Sequence, residues 1–222
     1  MPELSETLVT AARPARIERA DGALALLHGR GTSEQDLAGL FDLLDPEGRL
    51  FCAAPRAPLQ FAGHPGNHWY MVERVGFPDR ETFDASYARL GEWLAALGET
   101  VGIPIERTVL GGFSQGTVMS YALGLGAGRP RPAGILALSG FIPEVEGWAP
   151  DLASRAGMPV LISHGAADPV IGTEFARSAR DLLEPAGLDV TYREAPIGHS
   201  IDGPTIDAGR DWLEKALPRL PF

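Results

Sequence analysis

Short apolar runs alternate along this chain with longer stretches in which apolar residues recur at helical spacing. This alternation is typical of a parallel β-sheet covered by helices on both faces. Six apolar runs predict strands at residues 23–28, 49–55, 107–113, 134–139, 159–164 and 190–195, and a weaker run predicts one at residues 15–19. The pattern therefore predicts an α/β fold with a mostly parallel central sheet.

The stretches between these runs predict helices, because their apolar residues fall on one helical face. Helices are predicted within residues 37–44, 83–101, 115–125 and 173–183, and from about Thr205 onward. Ser33, with Asp36 three residues later, resembles the N-terminal cap of the first helix. Each helix thus follows a strand, as a parallel sheet requires.

No repeat, low-complexity tract or long linker interrupts this alternation, so we expect a single domain over residues 1–222. The loop at residues 140–157 is too short to form a large cap domain of several helices. A site at that end of the sheet should therefore be fairly open.

Composition and charge narrow the classes of function. The chain has 222 residues, of which 45% are hydrophobic and 22% charged, as in an ordinary globular protein. Its formal net charge of −10 would repel phosphate backbones and anionic lipids, which argues against nucleic-acid and membrane-surface partners. No apolar segment is long enough for a membrane span or a secretory signal. We therefore expect a cytoplasmic protein without stable membrane insertion.

The segment Gly112-Phe113-Ser114-Gln115-Gly116 ends a predicted strand and begins a predicted helix. A serine on such a sharp turn projects its hydroxyl above the end of the sheet, and small neighbours permit the tight backbone. In this context the GxSxG pattern predicts that Ser114 is a nucleophile.

A serine nucleophile needs a base and a third group that orients the base. His199 follows the last predicted strand, and Asp168 follows the strand at residues 159–164. Parallel strands present their carboxyl ends at one edge, so these loops should lie near Ser114. We therefore predict His199 as the base and Asp168 as the acid, and expect His164 to make local hydrogen bonds.

Three other acids, Asp151, Asp181 and Asp189, are rivals of Asp168 for the third position of the triad. Asp181 and Asp189 lie within or just after a predicted helix, where a solvated face is the commoner use, and Asp151 lies in the 140–157 loop.

Hydrolysis through a tetrahedral intermediate also needs two N–H donors for the oxyanion. The backbone N–H of Gln115, at the start of the helix, is one candidate. The second should follow an early strand, where His28-Gly29-Arg30-Gly31 lies, so the backbone N–H of Arg30 is the predicted partner.

These motifs resemble the phospholipase/carboxylesterase family of α/β-hydrolases, which also contains the acyl-protein thioesterases. The resemblance is carried by Leu27-His28-Gly29-Arg30-Gly31, Gly112-Phe113-Ser114-Gln115-Gly116, His164-Gly165-Ala166-Ala167-Asp168-Pro169 and Gly198-His199-Ser200, and spans nearly the whole chain. It implies the α/β-hydrolase fold, a Ser114, Asp168 and His199 triad, no cofactor, hydrolysis of small-molecule carboxylic esters or thioesters, and a homodimer. The alternatives are an acyl-protein thioesterase or lysophospholipase-like hydrolase, a small peptidase, and a binding protein on a hydrolase scaffold without catalysis.

Several further residues bear on the substrate. Arg30 replaces the apolar residue usual in the thioesterase branch, and its side chain could attract a substrate carboxylate or point into solvent. Trp69 and Ile142 are the predicted acyl-pocket residues among the aromatic and apolar side chains of the loops. His64 and His68 lack the carboxylate or cysteine partners that a metal site needs, so no metal is expected.

Overall fold

The computed structural model describes residues 8–63 and 65–221. Its main sheet contains seven strands, β1 (Thr10–Arg13), β2 (Gly22–Leu27), β3 (Leu50–Pro55), β6 (Thr108–Phe113), β7 (Gly134–Leu138), β8 (Pro159–Gly165) and β9 (Asp189–Ala195). Their order is β1-β3-β2-β6-β7-β8-β9, and all neighbours are parallel except β1 and β3. A separate hairpin consists of β4 (Val72–Arg74) and β5 (Phe77–Pro78).

The six strands predicted from apolar runs are present with ends shifted by at most one residue. The seventh prediction was wrong, because residues 15–19 form no strand and β1 lies upstream at Thr10–Arg13. Antiparallel pairing with β3 determines the position of this edge strand, and Thr10 lies opposite Pro55. Its side chains are only partly buried, so it has no continuous apolar run that would mark it in the sequence.

Five α-helices flank the sheet, namely α1 (Leu40–Leu44), α2 (Arg80–Val101), α3 (Gln115–Leu125), α4 (Thr173–Leu183) and α5 (Gly203–Ala216). The first is shorter than predicted and begins after Gly39, with no side-chain cap. Ser33 therefore does not cap it; its carbonyl instead accepts a hydrogen bond from the Asp36 N–H in a turn (3.1 Å).

The central strands of the sheet are buried on both faces, as their apolar runs predicted. In β2, Ala23, Ala25 and Leu27 face the core that α2 and α3 complete, whereas Leu24 and Leu26 face the core completed by α1 and α5. All six residues of β2 are buried. A strand with two covered faces needs apolar residues at successive positions, which explains the unbroken runs.

The parallel strands present their carboxyl ends at one edge of the sheet. The segments that leave β2, β6, β8 and β9 there contain Arg30, Ser114, Asp168 and His199. The topology therefore brings together residues that lie as far apart as 169 positions in sequence.

Candidate active site

Ser114 occupies the turn between β6 and α3 in a strained conformation, with φ 55° and ψ −120°. Two close backbone approaches make this turn possible. A Cβ on Gly112 would lie 2.3 Å from the carbonyl carbon of Gly116, and one on Gly116 would lie 1.8 Å from the Leu27 oxygen. Side chains at either position would clash with backbone atoms, which explains why both positions of the GxSxG pattern are glycine.

His199 lies within hydrogen-bond distance of Ser114, with its Nε2 3.0 Å from the serine Oγ. The other ring nitrogen, Nδ1, lies 2.6 Å from Oδ2 of Asp168. Since an ionised carboxylate only accepts hydrogen bonds, we assign the proton to Nδ1. The unprotonated Nε2 can then accept the hydroxyl proton of Ser114.

Asp168 is held in one orientation by donors on both carboxylate oxygens. Its side chain is fully buried, and Oδ1 accepts hydrogen bonds from the amides of Val170 (2.8 Å) and Ile171 (2.9 Å). Burial alone would favour the neutral acid, but the hydrogen bonds from His199 and these amides outweigh it and lower the pKa of Asp168. The carboxylate is therefore ionised at neutral pH and faces the imidazole.

His164 also lies close to this carboxylate but has a different principal partner. Its Nε2 is 2.8 Å from the Ile171 carbonyl and 3.5 Å from Asp168 Oδ2. The ring is buried beneath the loop that carries Asp168. This contact agrees with the expectation that His164 makes local hydrogen bonds.

The predicted oxyanion donors lie on the two segments that meet at Ser114. As the first residue of α3, Gln115 has a backbone N–H without an acceptor inside the helix. The other segment passes directly over the serine, because a Cβ on Gly29 would lie 3.6 Å from the Ser114 Cβ. Within the described chain, the next amide, that of Arg30, donates to no protein acceptor.

The His28 ring anchors the segment that carries Arg30. Its Nε2 accepts the Ala57 N–H (3.0 Å), so Nδ1 carries the proton and donates it to the Gly29 carbonyl (2.7 Å). Burial lowers the pKa of His28. The neutral ring thus fastens the loop to the segment after β3.

The side chain of Gln115 has a role that the sequence analysis missed. Its Oε1 accepts the Trp69 N–H (3.1 Å) and its Nε2 donates to the Tyr70 carbonyl (2.9 Å). One buried amide therefore fixes residues 69–70 against the start of α3. The sequence signal for this role is the glutamine within the GxSxG pattern, because a buried amide side chain at that position needs hydrogen-bond partners.

A cavity of about 500 Å³ opens beside Ser114 and His199. One side is formed by residues near the triad and the other by the segment after β2 and the β4–β5 hairpin. The remaining lining residues are Gly29, Arg30, Thr32, Asp36, Tyr70, Val72, Arg74, Val75, Phe113, Gln115, Phe141, Val170 and Ile171. Its wall is mainly apolar, with three charged residues, Arg30, Asp36 and Arg74, among the lining residues.

The two predicted acyl-pocket residues do not line this cavity. Trp69 is completely buried, and its Nε1–H donates to the His28 carbonyl (2.9 Å), so it belongs to the core beneath the wall. Ile142 faces a neighbouring groove of about 240 Å³. Tyr70 and Phe141, adjacent in sequence to these two, line the cavity instead. The direction of each side chain decides which of two neighbouring residues lines the cavity, and sequence spacing in a loop does not reveal that direction.

His64 lies outside the described residues, so the structure does not address the pair that it forms with His68 in sequence. Across residues 8–63 and 65–221, no three His, Cys, Asp or Glu side chains are grouped so that they could hold a metal ion. In the same residues, no helix is both long and apolar enough to cross a membrane.

Comparison of the sequence with known families and proteins gives consistent matches. A family described as phospholipase/carboxylesterase matches residues 13–217. Acyl-protein thioesterase 1 of Candida albicans is 30% identical over 191 residues, which cover 79% of this chain and 82% of that protein. The match to acyl-protein thioesterase 1 of Neurospora crassa is 37% identical over 123 residues but spans only 54% of this chain and 50% of that relative.

Solved structures agree with the topology described above. Esterase PE8 superimposes with a TM-score of 0.79 and 27% identity, over 95% of this chain and 100% of that one. The Bacillus cereus carboxylesterase gives a TM-score of 0.82 over 96% of each chain, at 22% identity. At that identity the second match speaks for the fold alone, and together these matches confirm the predicted α/β-hydrolase fold.

Proposed function

Because the chain belongs to the phospholipase/carboxylesterase family, we propose that it is a serine carboxylesterase acting on small to medium acyl esters. In this proposal Ser114 is the nucleophile, His199 the base and Asp168 the residue that orients the base. Family membership makes it a hydrolase of the carboxylic ester type. The substrate range and the role of each residue are the parts that we propose.

The mechanism follows from the proton positions in the site. His199 Nε2 takes the hydroxyl proton as Ser114 Oγ attacks the ester carbonyl, and the buried Asp168 carboxylate stabilises the resulting imidazolium. The backbone N–H groups of Arg30 and Gln115 hold the negative oxygen. His199 then protonates the leaving alcohol, and a water molecule activated by the same ring releases the acid from Ser114.

One observation carries this proposal, namely the unbroken chain of contacts from Ser114 Oγ through both nitrogens of His199 to Asp168. The two distances, 3.0 Å and 2.6 Å, lie within the range for proton transfer along hydrogen bonds. A structural serine in a tight turn would not need a base oriented in this way.

Substitution of the nucleophile tests the proposal. Ser114→Ala should lower kcat for p-nitrophenyl butyrate by about 10⁴-fold or more while the protein stays folded. Ser154→Ala is the matched control, because Ser154 is exposed and remote from the cavity. A fluorophosphonate probe should label the parent and the control but not Ser114→Ala. Unchanged turnover in Ser114→Ala would refute the mechanism, and a parent that neither reacts with the probe nor hydrolyses esters would indicate a binding protein.

An acyl-protein thioesterase is the second candidate function. The observation that favours it is the name of the relatives in Candida albicans and Neurospora crassa. Both functions use the same acyl-enzyme chemistry, so only the bond cleaved differs. Rates on an acyl thioester and an oxygen ester of equal acyl length separate them, since a thioesterase should retain a clear preference after correction for leaving-group reactivity.

Three expectations from the sequence stay predictions, namely a single domain over residues 1–222, a cytoplasmic location and a homodimer. Light scattering on the purified protein tests the last, with twice the chain mass of 23.6 kDa expected.

A further inference from the structure

Two arginines, Arg30 and Arg74, are among the residues that line the cavity beside Ser114. They come from separate elements, the segment after β2 and strand β4. Both side chains belong to exposed residues. Within the described chain, neither guanidinium forms an ion pair, whereas other arginines do so, for example Arg56 with Glu34 (2.6 Å) and Arg177 with Glu194 (2.8 Å). The cavity therefore presents two cations whose hydrogen-bond donors are available.

The Arg74 guanidinium lies over an aromatic ring. Its central carbon lies 3.8 Å from the centre of the Phe77 ring, on the neighbouring strand of the hairpin. A guanidinium stacked on a ring through its face still presents N–H groups along its edge. These edge groups match the two oxygens of a carboxylate. The stacking thus orients Arg74 without using its donors.

The charge balance of the wall differs from that of the whole chain. Asp36 is the one carboxylate among the described lining residues. Two cations against one anion leave the described part of the wall positive by one, although the chain has a net charge of −10. A positive site inside an acidic protein attracts an anion locally, whereas a surface that is acidic throughout would repel it.

We infer that the substrate carries a carboxylate, which Arg30 and Arg74 bind while its ester carbonyl lies at Ser114. This inference rests on the proposed hydrolase function and adds the substrate class to it. The carboxylate could belong to the acyl part or to the alcohol part, since both flank the scissile bond. Half-esters of dicarboxylic acids and esters of hydroxy acids are the two corresponding chemical classes.

Matched substrates test the inference on the acyl side. The p-nitrophenyl monoester of adipic acid and p-nitrophenyl hexanoate have six acyl carbons each and differ in the terminal carboxylate. We expect kcat/KM of the parent to be roughly tenfold higher for the adipate ester, as a charge-assisted contact would give. On the alcohol side, 4-carboxyphenyl hexanoate and 4-carbamoylphenyl hexanoate form the second pair. A preference in one pair shows which part of the substrate carries the charge.

Variants show whether the arginines cause the preference. The double substitution of Arg30→Gln with Arg74→Gln should bring the anionic-to-neutral ratio of kcat/KM close to one, and each single substitution should lower it in part. Arg89→Gln removes the same charge from the exposed side of α2, away from the cavity, and should leave the ratio at its parental value. The parental ratio should also fall as salt is raised from about 0.1 M to about 1 M, because the Debye length shortens from roughly 10 Å to 3 Å.

The outcomes separate this inference from the proposed function. Ser114-dependent hydrolysis of the neutral esters with no anionic preference in either pair would overturn the inference and leave the esterase proposal intact. A preference that survives the double substitution would overturn the role of the arginines, as would a higher rate for a cationic ester. Hydrolysis of none of these esters would overturn both proposals.

Discussion

The two sides of the cavity are built in different ways. On the triad side, Ser114 and Asp168 follow the buried strands β6 and β8, and His199 follows the partly buried edge strand β9. The opposite side consists of residues 28–36 and the β4–β5 hairpin, which lie outside the central sheet. The proposed triad is thus attached to parallel strands of the central sheet, whereas the other wall of the cavity belongs to a less regular part of the chain. We therefore expect substitutions in the β4–β5 hairpin to alter substrate choice more than they alter the geometry of the triad.

Removal of the Asp168 carboxylate, on the triad side of the cavity, should produce the largest loss of activity. Asp168→Asn keeps the size of the side chain but favours the wrong tautomer of His199, so kcat for a neutral ester should fall by about 10⁴-fold. The variant should bind the substrate nearly as well as the parent, because the opposite side is untouched. Steady-state kinetics at neutral pH measure both quantities.

Asp181→Asn is the control for this substitution, because Asp181 is an exposed acid on α4 that pairs with Arg180 (2.7 Å). Its kcat should remain at the parental value. An equal loss in both variants, or activity retained in Asp168→Asn, would remove Asp168 from the mechanism.

The same contrast explains what could be predicted from sequence. Strands such as β6 and β8 are covered on both faces, so they leave continuous apolar runs, and the residues just after them share one edge by topology. The GxSxG, Asp168 and His199 motifs could therefore be located without coordinates. The family and fold implied by these motifs are confirmed by the comparisons.

The opposite side could not be predicted in this way. The strands of the hairpin have three and two residues, too short for a periodic pattern, and both Val72 and Phe77 are exposed. Trp69 and Tyr70 are neighbours in sequence, yet only Tyr70 lines the cavity. Which of two adjacent loop residues faces a cavity depends on tertiary contacts, here the hydrogen bonds from Gln115 to residues 69–70.

Gln115 connects the two sides, so its substitution should have an intermediate effect on both. Gln115→Met would leave the buried Trp69 N–H and Tyr70 carbonyl without partners, at a cost of roughly 1–3 kcal/mol each. We expect the free energy of unfolding in urea to fall by about 2–6 kcal/mol. We also expect kcat/KM to fall by roughly tenfold to a hundredfold, because the cavity wall shifts relative to Ser114.

The matched control is Gln60→Met, at an exposed position that does not line the cavity. It should change neither the free energy of unfolding nor kcat/KM. If Gln115→Met behaved like this control, the contacts between Gln115 and residues 69–70 would have no energetic weight.

The smallest effect concerns His28, which anchors the opposite side. Burial disfavours the charged form of the His28 ring. The pKa of His28 in the folded protein therefore lies below its value in the unfolded chain, about 6.5. The unfolded chain therefore binds more protons as the pH falls below about 6.5, and the folded state loses stability there. Above that pH the neutral ring imposes no such cost. As the pH falls further, the loss of stability should grow until the pH reaches the pKa of His28 in the folded protein.

Urea unfolding at about pH 7.5 and about pH 5.5 should thus show a larger loss of stability for the parent than for His28→Gln. The difference between the two losses should be at most about 1.4 kcal/mol per pH unit. Titration of the remaining histidines cancels in this comparison, since both proteins contain them. Equal losses would mean that His28 can accept a proton in the folded state. The Nε2 contact with the Ala57 N–H argues against this, because a protonated ring would place two donors face to face.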